Sequence, residues 1–292
     1  MKKKRTSSIH VRKVVSYILA FFIAVFLWAA LCAVSLWVGL FAKQEFRNTV
    51  MGEAYFEDVH ASITERFRAE YAEYGLPGSF VEETLTLERV RSDGAKVIDR
   101  MIADTTAKTT YSSDDYRDKF VSEVEEDFQK DMEQYLEAEN LKGDKTAVQI
   151  SESLVKEAPY IYFEEMRFPL VEQYLKYYRA CMPGVRMILI VSGVLLVICS
   201  LAVVTMYRRR YHGLRFVFYG VVSGTWLNLM STLYIRRNFI YNESGMLSDG
   251  YRATVDGFIT KSMNQGVIIS GIGVLLALVL IVCIYNFKKQ DK

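Results

Sequence analysis

The stretch Phe216–Ile235, FVFYGVVSGTWLNLMSTLYI, has no charged residue, and its reading decides how often this chain crosses a membrane. A helix rises about 1.5 Å per residue, so about twenty residues cross a hydrocarbon core of roughly 30 Å. The length fits. The stretch is nevertheless sprinkled with Ser223, Thr225, Asn228, Ser231 and Thr232, and Arg236–Arg237 follow it. The spacing settles the reading: Gly220, Gly224, Asn228 and Thr232 recur every fourth residue. A helix gathers these four on one small, polar face of the kind that lets membrane helices pack closely, and they form the candidate helix-packing site.

Three further uncharged runs, Val14–Ala42, Met187–Tyr207 and Val267–Phe287, are longer and more uniformly apolar. They also carry small residues at helical spacing: Ser16, Ala20 and Ala24 in the first, and Gly266, Ser270, Gly273 and Ala277 at the last. The chain-wide averages, net charge +2 with 51% hydrophobic and 24% charged residues, conceal this segregation. The first run follows a basic start, as a secretory signal does. It exceeds the roughly 7–15 apolar residues of a cleaved signal and ends in bulky Trp37, Leu40 and Phe41, so it reads as an uncleaved anchor. Cys32, Cys199 and Cys283 fall within apolar runs and Cys181 just outside one. They are expected as small packing residues and not as a disulfide framework.

Basic residues beside spans favour the cytoplasm. With four spans, 13 Lys and Arg flank the inner side, among them Arg208, Arg209 and Arg210, and four lie in the outer loop 236–265. Were the third stretch not to cross, the counts would be 14 and 3, so the helical face and not the charge selects four spans. The expected order is a cytoplasmic basic tail at 1–13, span 14–42, an extracytoplasmic acidic domain at 43–184 and span 185–207. A basic turn at 208–213, span 214–235, an outer loop at 236–265, span 266–287 and a cytoplasmic tail at 288–292 complete it.

Residues 43–184 hold 18 Lys and Arg against 30 Asp and Glu. Phe56, Val59, Ile63, Phe67, Tyr71 and Tyr74 step by three or four, which predicts a helix stopping at Gly75-Leu76-Pro77-Gly78. Ser79 with Glu82 reads as a capping box for a second helix, interrupted at Ser92-Asp93-Gly94. After a threonine-rich loop, Ser112 with Asp115 caps a helix burying Phe120, Val124, Phe128, Met132 and Leu136, which ends at Asn140–Gly143. A shorter helix stops before Pro159, and a last one kinks near Pro169 on its way to the second span. The fold class is therefore all-α: four transmembrane helices, with an extracytoplasmic helical bundle between helices 1 and 2. Tyr174, Tyr177 and Tyr178, like the Arg208–Arg210 turn, are expected at the membrane interface.

No catalytic set emerges. His60 with Glu57 and Thr64 shares one helix face, but two candidate ligands without a second pair read as solvated surface. The acid pairs Asp114-Asp115, Glu125-Glu126-Asp127 and Glu164-Glu165 read as solvated helix faces, and Asn242-Glu243-Ser244 as a chance sequon. No phosphate-binding loop, nucleophile elbow, calcium loop or HExxH is present, and the span interiors hold no Asp, Glu, Lys, Arg or His. No cofactor, metal or nucleic-acid partner is expected.

Gly75-Leu76-Pro77 after the first outer helix, and the Arg208-Arg209-Arg210 turn with His212, give a layout that resembles uncharacterised four-span membrane proteins of low-GC Gram-positive bacteria. The resemblance implies a bacterial plasma membrane and no activity. The leading expectation is a non-enzymatic envelope protein, an accessory subunit or sensor, with a membrane-protein partner or a second copy of itself, besides lipid. A small oligomeric transporter or channel component using the Asn228 face is the alternative. An envelope enzyme using outer-domain carboxylates is the third reading.

Overall fold

Apolar runs that no water reaches must satisfy their amides within the segment, and a helix does this for every interior residue. The computed structural model describes residues 2–74, 77–104, 113–166, 169–238 and 249–290; helices joined by short turns make up these residues, with no strand among them. In chain order the helices are α1 (Lys2–Val38), α2 (Lys43–Val50), α3 (Glu53–Glu73), α4 (Gly78–Thr84), α5 (Leu87–Asp104), α6 (Ser113–Ala138), α7 (Lys145–Glu165), α8 (Pro169–Thr205), α9 (Arg210–Asn238) and α10 (Asp249–Gln290). Among the described residues four segments are long and apolar enough to cross a membrane: His10–Val38, Val171–Thr205, Arg210–Arg237 and Thr254–Gln290.

The chain divides into two compact units. The first comprises Met1–Phe46, Tyr177–Ser244 and Asp256–Lys292, and the second Arg47–Lys176 with Gly245–Val255. In the first, α1 and α9 form the most extensive helix pair. Its core joins Ile23, Leu27 and Leu31 of α1 to Val217 and Val221 of α9, Ile269 and Ala277 of α10, and Val203 of α8. The third span is the least apolar of the four and the most buried. A central helix faces other helices instead of lipid, so small and polar residues suit it.

The second unit is built on aromatic rings. Tyr55, Phe56, Val59, Ile63, Phe67 and Tyr71 of α3 are buried. The expected face of α6, Phe120, Val124, Phe128, Met132 and Leu136, is buried as well. Phe67 stacks on Phe128 with centroids 5.7 Å apart, and Tyr162 of α7 meets both rings edge-on at 6.4 and 5.7 Å.

Several local expectations fail for identifiable reasons. The capping box does not form: α4 starts at Gly78 behind an extended Pro77, without a side-chain cap, and Glu82 pairs with Arg68 instead. Ser92-Asp93-Gly94 lies inside α5. The break falls earlier, at buried Leu85, and Thr86 Oγ1 accepts from the Arg89 amide to open α5. A helical glycine costs about 1 kcal/mol, which the burial of Val90, Val97 and Ile98 around it offsets.

Pro159 does not stop α7, which continues to Glu165. Proline removes one helical hydrogen bond, but Leu154, Ala158 and Tyr162 on either side are buried in the core and hold the helix together. Pro169 is the first residue of α8, where its missing N–H has no helical partner to lose. Residues 249–265, expected as loop, form the start of α10. The first helix closes at Val38, and turn residues precede α2, whereas α8 runs without a break into the second apolar run. α6 ends near its expected stop: Asn140 adopts φ 57°, and the Leu141 amide donates to Leu136 O at 2.8 Å. Asn tolerates this left-handed turn better than most residues. The loop residues 105–112, Ser112 and Asn242 lie outside the described residues.

Candidate functional site

The four residues singled out at every fourth position of α9 lie along its packed side and divide between two neighbours. Gly220 meets α1: a Cβ there would stand 2.6 Å from Ile23 Cγ2 and 2.9 Å from Ala20 O. Gly224 does the same one turn on, at 2.6 Å from Ala24 O. Only glycine allows this backbone approach. Asn228 is 0% exposed and ties three helices together. Its Oδ1 accepts from Cys32 Sγ of α1 at 3.3 Å, and its Nδ2 donates to Ser270 Oγ at 2.8 Å and Gly266 O at 3.4 Å in α10. Ser270 Oγ in turn donates to Gly266 O at 3.0 Å. Thr232 is buried against Gly266. Beside this knot Trp28 Nε1 donates to Ser231 Oγ at 3.1 Å.

Every polar atom of the Asn228 amide thus has a protein partner in a setting where an unpaired one costs dearly. The arrangement is a lock between helices. Sequence spacing identified the α9 side of it. Cys32 and Trp28 on α1 were missed as partners, because a cysteine and a tryptophan in an apolar run give no signal that distinguishes packing from hydrogen bonding.

At one end of the first unit, Ser16 Oγ lies 3.0 Å from Tyr207 Oη and the Arg12 guanidinium sits over the Tyr207 ring at 5.8 Å. Arg208, Arg209 and Arg210 are exposed. Of the expected interface tyrosines, Tyr177 is exposed and Tyr178 is half-buried, with its ring against Phe41 and Lys43 Nζ 4.8 Å from its centroid. Tyr174 is buried, contrary to a role as an exposed anchor.

In the second unit, the polar cluster centres on Arg89. Its Nη1 donates to Asp131 Oδ2 at 2.5 Å and Thr84 O at 3.0 Å, and its guanidinium covers the Phe128 ring at 5.0 Å. Burial opposes the Arg89 charge, but the Asp131 hydrogen bond and carboxylate outweigh it and hold the group above its usual range. The Tyr162 hydroxyl donates to Asp93 Oδ2 at 3.2 Å. Burial first, and the Asp93 carboxylate second, push the Tyr162 phenol well up, with Arg89 opposing. Burial raises Tyr71 in the same way. These shifts keep neutral groups neutral and charged groups charged, which suits a rigid core better than proton transfer.

His60 is half-buried, with Nε2 2.7 Å from Leu85 O, so it joins α3 to the end of α4. Glu57 beside it is exposed. Glu165 is held by Arg66 at 3.0 Å and Ser62 at 3.1 Å. Among the described residues no group of three His, Cys, Asp or Glu is placed to hold a metal ion.

The second unit carries a cleft of about 330 Å³ between α6 and α7. Met132, Leu136, Val148 and Val155 form its apolar floor, and Glu125, Glu133 and Glu152 line its rim with Lys156. No family model, curated protein or solved structure matches this chain.

Proposed function

We propose that this chain is a non-enzymatic, multi-pass membrane protein of the bacterial envelope. In this reading it is an accessory or sensing subunit that binds a partner through the outward domain at 43–184, with both termini in the cytoplasm. The observation that carries the reading is the α6/α7 cleft: an apolar floor with three glutamates on its rim, in a unit where Arg89 pairs with Asp131 and Tyr162 with Asp93. Its occupant is a partner helix with apolar residues on one face and Lys or Arg flanking them, since complementary charge steers and orients such docking. The closed hydrogen bonding of Asn228 supports a structural span bundle over a transport route. The outward placement rests on the excess of basic residues beside the opposite span ends.

A photo-crosslinker placed at Val148 of the full chain in native membranes tests this. The expected result is one stoichiometric partner, identified by mass spectrometry. The same product should vanish with Glu133→Lys plus Glu152→Lys and persist with a reversal outside the cleft, such as Glu53→Lys. Crosslinking only to lipid, or a product indifferent to the cleft charges, overturns it.

A further inference from the structure

At the end of the first unit where α1 finishes, three cations draw together. Arg179 and Arg186 lie seven residues apart on α8, two turns along one face, with buried Met182 and Val185 between them packed against Ala33 and Phe41 of the α1 end. The Arg186 guanidinium sits 5.7 Å from the Trp37 ring, and Lys43 Nζ 4.8 Å from the Tyr178 ring. Both arginines are exposed and Lys43 is half-buried. Burial, and then the Arg179 and Arg186 charges, hold the Lys43 ammonium below its usual range, so the three groups feel one another. The carboxylate of Glu45, close by in sequence, is engaged by Lys261 at 3.4 Å.

Like charges gathered at the edge of an apolar run lower their energy by sharing an anion. Two guanidinium forks and an ammonium suit a phosphate, since arginine matches its oxygens in bidentate fashion and lysine adds a point charge. The uncharged run Met187–Tyr207 begins immediately after Arg186, and Trp37 and Tyr178 are residues that settle at headgroup depth. We propose that Lys43, Arg179 and Arg186, framed by Trp37 and Tyr178, form a binding site for the phosphate of an anionic phospholipid. The site lies at the end of the bundle remote from Arg208, Arg209 and Arg210. It rests on the four-span reading and is independent of the partner proposed for the cleft.

The test is native mass spectrometry of the full chain with equal amounts of phosphatidylglycerol and phosphatidylcholine of the same acyl length. Wild type is expected to retain phosphatidylglycerol preferentially. Combining Lys43→Gln, Arg179→Gln and Arg186→Gln should lower that preference by about tenfold or more. Neutralising Arg208, Arg209 and Arg210 to Gln should lower it less than the Lys43, Arg179 and Arg186 combination does. Each variant is compared after its melting temperature in phosphatidylcholine micelles matches wild type. If the triple variant melts early, the exposed single substitutions Arg179→Gln and Arg186→Gln replace it, each with a loss of about threefold expected. Equal preference in all chains, or a loss only in the Arg208–Arg210 variant, overturns the site. Binding of inorganic phosphate with no preference for phosphatidylglycerol also overturns the lipid assignment.

Discussion

Asn228 Nδ2 donates a 2.8 Å hydrogen bond to Ser270 Oγ, joining α9 to α10 at positions 42 residues apart in the chain, with both side chains buried. The same amide accepts from Cys32 of α1, so one side chain sets the register of three helices. Apolar surfaces alone slide past one another at little cost in lipid, where no hydrophobic difference separates a lipid tail from a leucine. A buried polar contact gives the packing a single preferred register.

Replacing Asn228 with Leu should therefore destabilise the bundle by about 1–2 kcal/mol, near the top of the range for such bonds in membranes. Ser270→Ala should cost roughly half as much, and the double variant less than the sum, because the two share one bond. Reversible unfolding in mixed micelles measures all three. Strictly additive effects would show that the bond contributes nothing.

Gly224→Val should be more damaging, since its Cβ would lie 2.6 Å from Ala24 O and backbone cannot swing aside. A loss of about 1–3 kcal/mol is expected, with a wider α1–α9 separation by spin-label distances. Gly271→Ala, which meets nothing within 4 Å, should leave both readings unchanged.

The raised phenols of Tyr71 and Tyr162 predict the alkaline behaviour of the second unit. In the unfolded chain each tyrosine ionises near pH 10, while the folded protein keeps both protonated to higher pH. Their stabilising contribution is complete below about pH 10 and falls above it, by up to about 1.4 kcal/mol per pH unit for each. Tyr71→Phe and Tyr162→Phe should each flatten the loss of melting temperature between about pH 10 and pH 12. An unchanged slope in both variants would refute the buried, neutral phenols.

Arg89→Lys keeps the charge but loses the Nη1 that reaches both Asp131 and Thr84 O, along with the planar cover over Phe128. It should cost about 1–2 kcal/mol in thermal or denaturant unfolding. Arg91→Lys, exposed on the same helix, should cost nothing measurable. Equal effects at the two positions would mean that Arg89 acts only as a surface charge.

Much of this fold was legible in the residues because its strongest signals are periodic. Twenty uncharged residues determine a helix wherever they lie in lipid, and the four-residue spacing of Gly220, Gly224, Asn228 and Thr232 determines that they share a face. The buried faces of α3 and α6 follow from the same arithmetic. What misled was local punctuation: Ser79 with Glu82, Ser92-Asp93-Gly94 and Pro159 each signal a helix boundary. Each such signal is worth about 1–3 kcal/mol, and the core packing around Gly94 and Pro159 exceeds it.

The sequence by itself determined the class of the molecule, its apolar segments, and which residues of α9 must face a neighbour, because periodicity and charge exclusion act within one helix. Only the tertiary structure decided that Asn228 is closed by Cys32 and Ser270, that Tyr162 reaches Asp93, and that Lys43 lies over the Tyr178 ring of α8. Those pairings join residues tens to nearly two hundred positions apart. They depend on how helices rotate and slide against one another, and such degrees of freedom are set by the sum of all contacts and by no single stretch of sequence.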